Sequence, residues 1–220
     1  EYMTNEKKGL CIFEYIYFSR PDSIVDGMSV HEFRKQTGKY LAKQAPVEAD
    51  IVAGVPDSGL DAALGYALES GIPYGMAFIK NKYIGRSFIL NNQEKRQKAV
   101  ALKLNPIKQN VEGKRIVLID DSIVRGNTIK RTIKRLREFG AKEIHLRIAS
   151  PMIIDVCYFG TDIDKKDKLI ANIKTKEEIR QDIGVDSLEY LDLENLKEIA
   201  RGSNMEDFCF GCFTGEYPNS

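Results

Sequence analysis

The feature that most constrains the fold is a short apolar run that leads directly into two acids and a small polar loop. Residues 116–119 are Ile, Val, Leu and Ile, which is typical of a strand buried on both faces. Such strands belong to parallel sheets flanked by helices. Asp120 and Asp121 follow at once, and the loop 122–128 then enters a predicted helix. The sequence therefore predicts an α/β fold with its functional site where this strand ends.

The acids and the loop favour a ligand that carries phosphate and hydroxyl groups. Neighbouring carboxylates repel each other, and this cost is usually tolerated where a cation or ribose hydroxyls share the site. The loop offers backbone N–H groups, the hydroxyls of Ser122 and Thr128, Gly126 and a helix N-terminus, which together suit a phosphate. An ordinary turn with solvated Asp residues is the alternative, and the full string of residues favours the functional interpretation.

A second strand, turn and helix precede this motif. Residues 51–55 predict a short buried strand, residues 56–59 a tight Pro-Asp-Ser-Gly turn, and residues 60–70 an Ala-rich helix. Two such units require a mostly parallel sheet with right-handed crossovers. Ligands in these sheets bind beyond the carboxyl ends of the strands, where Ser58 and Asp120 both fall.

The other elements are predicted from local patterns. The aromatic and β-branched run 12–18 predicts a strand, and Ser29 begins a helix that ends before Pro46. Further strands are predicted over 74–79 and 143–149, the latter near an edge of the sheet, and further helices over 93–104 and 127–139. Beyond Pro151 a mixed tail begins, with a capping box at Thr175 and Glu178.

Residues 80–89 are basic and aromatic and have no clear period. On its own, such a segment is expected to be a solvated loop whose Lys and Arg side chains have no partners. Beside a phosphate-binding loop, its cations instead predict a lid that closes over a bound anion.

Composition limits the class of protein. The 33 basic and 32 acidic residues nearly cancel, so no overall charge favours nucleic acid or a membrane surface as a partner. The sequence has no apolar run long enough to span a membrane and no signal peptide at its start, which predicts a cytoplasmic protein. Four cysteines in such a protein indicate buried thiols, a metal site or redox chemistry, and Cys209-x-x-Cys212 alone leaves these open.

Several of these strings resemble a known family. Residues 117–128, Val-Leu-Ile-Asp-Asp-Ser-Ile-Val-Arg-Gly-Asn-Thr, resemble the phosphoribosyl pyrophosphate signature of type I phosphoribosyltransferases. Residues 55–59 are similar to the pyrophosphate loop of that family, and residues 79–88 to its flexible catalytic loop. The Asp-Asp-Ser-Ile-Val-Arg-Gly form, together with residues 13–23, resembles the glutamine phosphoribosylpyrophosphate amidotransferase family.

The resemblance implies a type I phosphoribosyltransferase fold: a mostly parallel twisted sheet flanked by helices, with a mixed C-terminal tail. It assigns residues 25–150 to the core and 151–220 to a C-terminal helical tail that carries cluster cysteines. Residues 1–24 would join the chain to a missing N-terminal glutaminase domain, so glutaminase activity is expected to be absent from this chain.

The implied reaction is the first step of de novo purine synthesis. Phosphoribosyl pyrophosphate and ammonia, which the full protein would obtain from glutamine, would give 5-phosphoribosylamine and pyrophosphate. Two alternatives keep the fold: a regulator that binds phosphoribosyl pyrophosphate, and a salvage phosphoribosyltransferase that uses a base. A homo-oligomer inhibited by purine nucleotides is also implied.

The resemblance assigns roles to individual residues. The lid residues Lys80, Lys82 and Arg86 are the expected catalytic residues, because they would close over the pyrophosphate. Ser58, Asp120 and Asp121 are the expected Mg²⁺ ligands. The expected substrate-binding residues are Asp57, Ser58, Gly59, Asp120, Asp121, Ser122, Ile123, Val124, Arg125, Gly126, Asn127 and Thr128.

The cysteines match the iron–sulfur branch of the amidotransferase family. Cys11, Cys157, Cys209 and Cys212 fall where the ligands of a 4Fe-4S cluster lie in that branch. Four thiolates suit such a cluster, and zinc bound by the same four sulfurs is the alternative.

Overall fold

A four-stranded parallel sheet forms the centre of the molecule. The computed structural model describes residues 9–80, 104–161, 165–201 and 208–218. The sheet has the order β4-β7-β8-β9, and every neighbouring pair is parallel. Its strands are β4 (Ile51–Gly54), β7 (Arg115–Asp120), β8 (Glu143–Ile148) and β9 (Ser187–Tyr190). The predicted α/β class and parallel sheet are confirmed.

Two helices cover one face of the sheet and pack unusually closely against each other. They are α1 (Val30–Gln44) and α2 (Leu60–Ser70), which ends at left-handed Gly71 as predicted. A Cβ added to Gly38 would lie 1.8 Å from the carbonyl oxygen of Ala62, so only glycine permits this crossing. Val117 and Ile119 of β7 face this layer.

The other face of the sheet is covered by one short helix that precedes β7 and by three helices between β7 and β9. Ile116 and Leu118, which alternate with the residues above, pack there against Ile129 and Ile133. The helices on this side are α3 (Lys108–Val111), α4 (Asn127–Glu138), α5 (Ile170–Ile173) and α6 (Lys176–Ile183). Burial on both faces explains why β7 is a continuous apolar run.

The prediction of a strand over 12–18 is wrong. The strand β1 covers only Leu10–Cys11, and Glu14–Phe18 forms a single π-helical turn, called here the aromatic turn. The first strand pairs in parallel with β10 (Phe208–Cys209), and a small hairpin of β2 (Ile24–Val25) and β3 (Met28–Ser29) follows. Local β propensity is overridden here because the side chain of Arg34 binds the carbonyl groups of the turn.

The strand after α2 is shorter than predicted and lies outside the main sheet. Tyr74 makes one isolated bridge to Val52, and β5 (Phe78–Lys80) pairs antiparallel with β6 (Leu104–Pro106). Leu104, predicted to end a helix, therefore belongs to a strand, while residues 93–103 of that helix lie outside the described residues.

The strand β8 was predicted near an edge but lies between β7 and β9. Its polar residues are buried: His145 is 7% and Arg147 is 3% exposed. Arg147 donates from Nε to the carbonyl oxygen of Ala45 at 3.2 Å and from Nη1 to Ser187 Oγ at 2.9 Å. The alternation of polar and apolar residues thus reflects a buried polar contact with the C-terminus of α1.

The segment after Pro151 completes the sheet, whereas the sequence predicted a mixed helical tail. It supplies β9, and Thr175 begins α6 with the predicted capping box. Its last helices are α7 (Leu193–Arg201) and α8 (Gly211–Thr214). Within the ranges described, no helix is both long and apolar enough to cross a bilayer.

Candidate functional site

Two loops meet at the carboxyl edge of the sheet. The loop 55–59 follows β4, and the loop 121–126 follows β7. The N–H of Val55 donates to the carbonyl oxygen of Ile119 at 2.8 Å, so the two strands remain paired up to the loops. A Cβ on Gly59 would lie 2.5 Å from that same oxygen, which is why a glycine begins α2 here. The Pro56–Asp57 peptide bond in the first loop is cis.

The two acids lie at the junction of these loops and are almost completely buried. Asp120 is 9% and Asp121 is 8% exposed. The N–H of Asp121 donates to Asp120 Oδ1 at 3.0 Å, while the hydroxyls of Ser58 and Ser122 donate to the two carboxylate oxygens of Asp121. Ser58 therefore links the first loop directly to the acid pair.

Burial perturbs both acids. It raises the pKa of Asp120 well above its usual value, and the charge of Asp121 raises it further. Burial also raises the pKa of Asp121, although the hydroxyl groups of Ser122 and Ser58 and the charge of Arg34 oppose this shift. In the free protein the pair is thus held in an environment that disfavours two negative charges, and a bound cation would relieve it.

The second loop surrounds an open cavity of about 610 Å³. Ile123 is buried and anchors the loop, while Arg125, Asn127 and Thr128 are exposed. Gly126 has a φ of +78° and precedes α4, whose first-turn N–H groups are free to bind an anion. The cavity is lined by Phe13, Tyr17, Phe18, Val55, Pro56, Ser58, Thr161 and all the residues from Asp120 to Ile129.

A segment of the C-terminal region supports this loop from behind. The N–H of Ile170 donates to the carbonyl oxygen of Val124 at 3.0 Å. A Cβ added to Gly126 would lie 2.7 Å from Ile170 Cδ1, so the loop and α5 are in direct contact. The shape of the loop therefore depends on residues more than forty positions further along the chain.

The predicted lid is described only at its start. Lys80 forms an ion pair with Asp57, and the two side chains are 50% and 66% exposed. Neither Asp57 nor Gly59 lines the cavity, although their neighbours Pro56 and Ser58 do. Lys82 and Arg86 lie outside the described residues.

Three features of the site were missed by the sequence analysis. Arg34 is buried beside the acid pair, and Tyr17 and Phe18 form an aromatic wall of the cavity. A signal for Arg34 was present, since it lies one turn after Val30 on the helix face that also carries Phe33. The aromatic residues gave no such signal because their segment was assigned to a strand.

The four cysteines come together on the side of the aromatic turn. Pairing of β1 with β10 sets Cys11 opposite Cys209, and the N–H groups of Ile154 and Asp155 donate to the carbonyl oxygen of Cys212. Burial raises the pKa of the Cys212 thiol, and the other three cysteines raise it further. All four are free thiols. Among the residues that the structure describes, no three His, Cys, Asp or Glu side chains are arranged to hold one metal ion.

Comparison with known proteins agrees with this geometry. Residues 29–186 match the family model of the phosphoribosyl transferase domain. The amidophosphoribosyltransferase of Methanocaldococcus jannaschii is 56% identical over 94% of this chain and 44% of its own length. That of Archaeoglobus fulgidus is 52% identical over 98% of this chain and 48% of its own length.

One solved structure is similar over nearly the whole chain. It is the glutamine phosphoribosylpyrophosphate amidotransferase of Bacillus subtilis in complex with ADP and GMP. The sequences are 50% identical, the TM-score is 0.88, and the match covers 98% of this chain and 48% of the other. The chain thus spans about half the length of these relatives.

Proposed function

The chain belongs to the phosphoribosyl transferase domain family, and we propose that it transfers the phosphoribosyl group of phosphoribosyl pyrophosphate to ammonia. The products are 5-phosphoribosylamine and pyrophosphate, the first step of purine synthesis. The hydrogen bond from Ser58 to Asp121 carries the proposal, because it joins a pyrophosphate loop and a phosphate loop at one acid pair. Ammonia is proposed as the acceptor because the relatives that match most of this chain are amidophosphoribosyltransferases.

The reaction breaks the bond between ribose C1 and the pyrophosphate oxygen, which keeps the electron pair. The lone pair of ammonia forms the new C–N bond, and a proton then leaves the nitrogen. Because positive charge develops on the ribose and negative charge on the leaving group, catalysis depends on holding both in place. The N–H groups of the loop 122–128 and the hydroxyls of Ser122 and Thr128 would hold the 5-phosphate. Asp120 and Asp121 would hold the ribose hydroxyls.

Mg²⁺ fits the acid pair. Ser58, Asp120 and Asp121 offer oxygen atoms, which this cation prefers, and burial raises the pKa of both carboxyls, a shift that a bound cation would oppose. When bound, Mg²⁺ neutralises charge on the departing pyrophosphate. Lys80 is the part of the cationic lid that the structure describes. We propose that Lys80, Lys82 and Arg86 close over the pyrophosphate.

A 4Fe-4S cluster is proposed at Cys11, Cys157, Cys209 and Cys212. Four free thiols are a suitable donor set for such a cluster, which binds them as thiolates. Burial, and then the neighbouring cysteines, raise the pKa of Cys11 and of Cys212. Zinc would need the four sulfurs around a single ion, whereas each sulfur of a cluster binds a different iron at a wider spacing. The role of the cluster would be structural, since it would tie both ends of the chain to the middle.

The remaining proposals concern organisation and partners. Because the relatives are about twice as long, we propose that residues 1–24 lead from a glutaminase domain that supplies ammonia, that 25–150 form the catalytic core, and that 151–220 carry the cluster. Purine nucleotides are proposed as inhibitors, since the relative from Bacillus subtilis binds ADP and GMP. A cytoplasmic homo-oligomer is proposed; the four free thiols suit a reducing compartment.

The decisive experiment measures pyrophosphate release from phosphoribosyl pyrophosphate by the intact protein with Mg²⁺. Ammonia is compared with adenine, hypoxanthine, guanine and orotate as acceptors, and Asp121→Asn is the inactive control. Release that requires ammonia supports the proposal. Release that requires a base indicates a salvage enzyme, and tight binding without release indicates a regulator; either result would overturn it.

A further inference from the structure

Arg34 is a buried cation that the proposed reaction does not use. It is 3% exposed and lies on the first half of α1. Its Nε donates to the carbonyl oxygen of Tyr15 at 2.7 Å, and its Nη2 donates to that of Ser19 at 2.9 Å. Within the described ranges no carboxylate lies at ion-pair distance from its guanidinium. Burying a guanidinium against carbonyl groups is costly, and the charges of Asp61 and Asp121 offset only part of that cost, because burial still lowers the pKa of Arg34.

One of the two carbonyl groups belongs to the aromatic turn, and the other to the residue that follows it. The N–H of Ile16 donates to the carbonyl oxygen of Ile12 at 3.2 Å, and the N–H of Ser19 donates to that of Glu14 at 2.9 Å. The preceding strand β1 is two residues long and therefore provides little support. The guanidinium, with its rigid fork of donors, ties the turn to α1, and the buried ring of Tyr15 packs against Phe33 of the same helix with centroids 5.2 Å apart.

The aromatic turn carries one wall of the reaction cavity. Tyr17 and Phe18 are 52% and 46% exposed, yet both line the cavity together with the loop that follows β7. Their rings contact each other, with centroids 5.5 Å apart, and Phe18 also contacts buried Phe13 at 6.1 Å. Large apolar rings that remain exposed in the free protein lie where they can cover a bound substrate.

We propose that Arg34 is a positioning residue that holds the aromatic turn over the cavity and thereby excludes water from the ribose carbon. This inference rests on the proposed transfer to ammonia. If water attacks C1 in place of ammonia, the same C–O bond to pyrophosphate breaks and the products are ribose 5-phosphate and pyrophosphate. The aromatic wall therefore affects how often ammonia, and how often water, attacks the ribose carbon.

The test compares Arg34→Met with Arg20→Met in the intact protein. Arg20 lies just beyond the aromatic turn but its side chain is 81% exposed and is paired with Asp22 at 2.8 Å. The ratio of ribose 5-phosphate to phosphoribosylamine is measured at fixed ammonia. It is expected to rise about tenfold in Arg34→Met, as for the loss of a hydrogen-bonded charge, and to stay unchanged in Arg20→Met.

A second measurement tests how firmly the aromatic turn is held and does not depend on enzymatic activity. Amide hydrogen exchange of the peptide covering residues 12–19 is expected to be faster in Arg34→Met and normal in Arg20→Met. Arg34→Lys, which keeps the charge but cannot donate to both carbonyls as a fork, should give intermediate values and serves if the Met variant does not fold.

The outcomes separate the two hypotheses. An unchanged partition ratio, or an equal loss of both products, would overturn the role of Arg34 in excluding water. Unchanged exchange in residues 12–19 would overturn its positioning of the turn. If the unaltered protein releases no pyrophosphate with ammonia, the proposed reaction fails and water exclusion fails with it, while the exchange result still decides the positioning.

Discussion

Replacing Gly126 by Ala tests whether the loop after β7 must keep its observed shape to bind phosphate. The residue has a φ of +78°, which costs an L-residue about 1–2 kcal/mol. The new Cβ would also lie 2.7 Å from Ile170 Cδ1, and overpacking of this kind costs about 1–3 kcal/mol. The expected loss in the free energy of unfolding is therefore about 2–5 kcal/mol.

A matched control separates the two costs. Gly113 precedes β7 with a φ of +71°, and a Cβ there would meet nothing within 4 Å. Gly113→Ala should therefore lose only about 1–2 kcal/mol. Ile170→Val removes the clashing Cδ1, and the next atom, Cγ1, is 4.0 Å from the added Cβ. The double variant Gly126→Ala/Ile170→Val should therefore be about 1–3 kcal/mol more stable than the sum of the two single losses predicts.

The assay combines urea unfolding with calorimetric titration of phosphoribosyl pyrophosphate. A displaced loop loses charge-assisted hydrogen bonds to the 5-phosphate, so Kd should rise at least about tenfold in Gly126→Ala. It should stay normal in Gly113→Ala and recover in part in the double variant. Equal stability losses in the two glycine variants, or an unchanged Kd in Gly126→Ala, would refute the reasoning.

Three further predictions concern charge and metal. Asp120→Asn is expected to abolish pyrophosphate release but to raise the Tm of the ligand-free protein, because it removes a buried, repelled charge; a lower Tm would contradict this. Burial lowers the pKa of His145, so stability should fall as pH drops through about 6.5. His145→Gln should therefore make Tm depend less on pH between pH 7 and 5; an unaltered dependence of Tm on pH would exclude His145 as its source. Protein purified without oxygen should be brown, with about four iron and four sulfide per chain, and Cys212→Ser should be depleted in both; colourless, zinc-loaded protein would contradict the cluster.

The sequence predicted the centre of the fold because its signals there are local and agree with one another. A short continuous apolar run that ends at turn residues is typical of a strand buried on both faces, and Ile116 to Ile119 are fully buried. The turn residues Pro56 to Gly59 equally indicate the connection from β4 to α2, and the left-handed Gly71 indicates where α2 ends. The positions of Ser58 and Asp121 at one edge then follow from right-handed crossovers alone.

The errors occur where distant residues decide the structure. The run 12–18 has strong β propensity, yet Arg34, fifteen or more residues later, binds the carbonyl groups of Tyr15 and of Ser19 just beyond the run. The alternation in β8 looked like an exposed edge because nothing in its own sequence indicates β9 or the carbonyl of Ala45 that Arg147 binds. Such contacts carry no periodic signal, so single-sequence reasoning cannot find them.

The acid pair that first suggested a ligand is also unfavourable for the stability of the folded protein at neutral pH. Because burial raises the pKa of both carboxyls above the unfolded value, their contribution to stability is present below about pH 4 and is lost as pH rises through the raised values. The free protein at neutral pH therefore carries an electrostatic cost, which the hydroxyl of Ser58 offsets only in part. A cation and a polyol together would remove that cost, so part of the stabilisation on binding comes from strain already present in the free protein. An acid pair kept at a cost to stability is the expected signature of a binding site, whereas an ordinary turn would leave these two carboxylates in water.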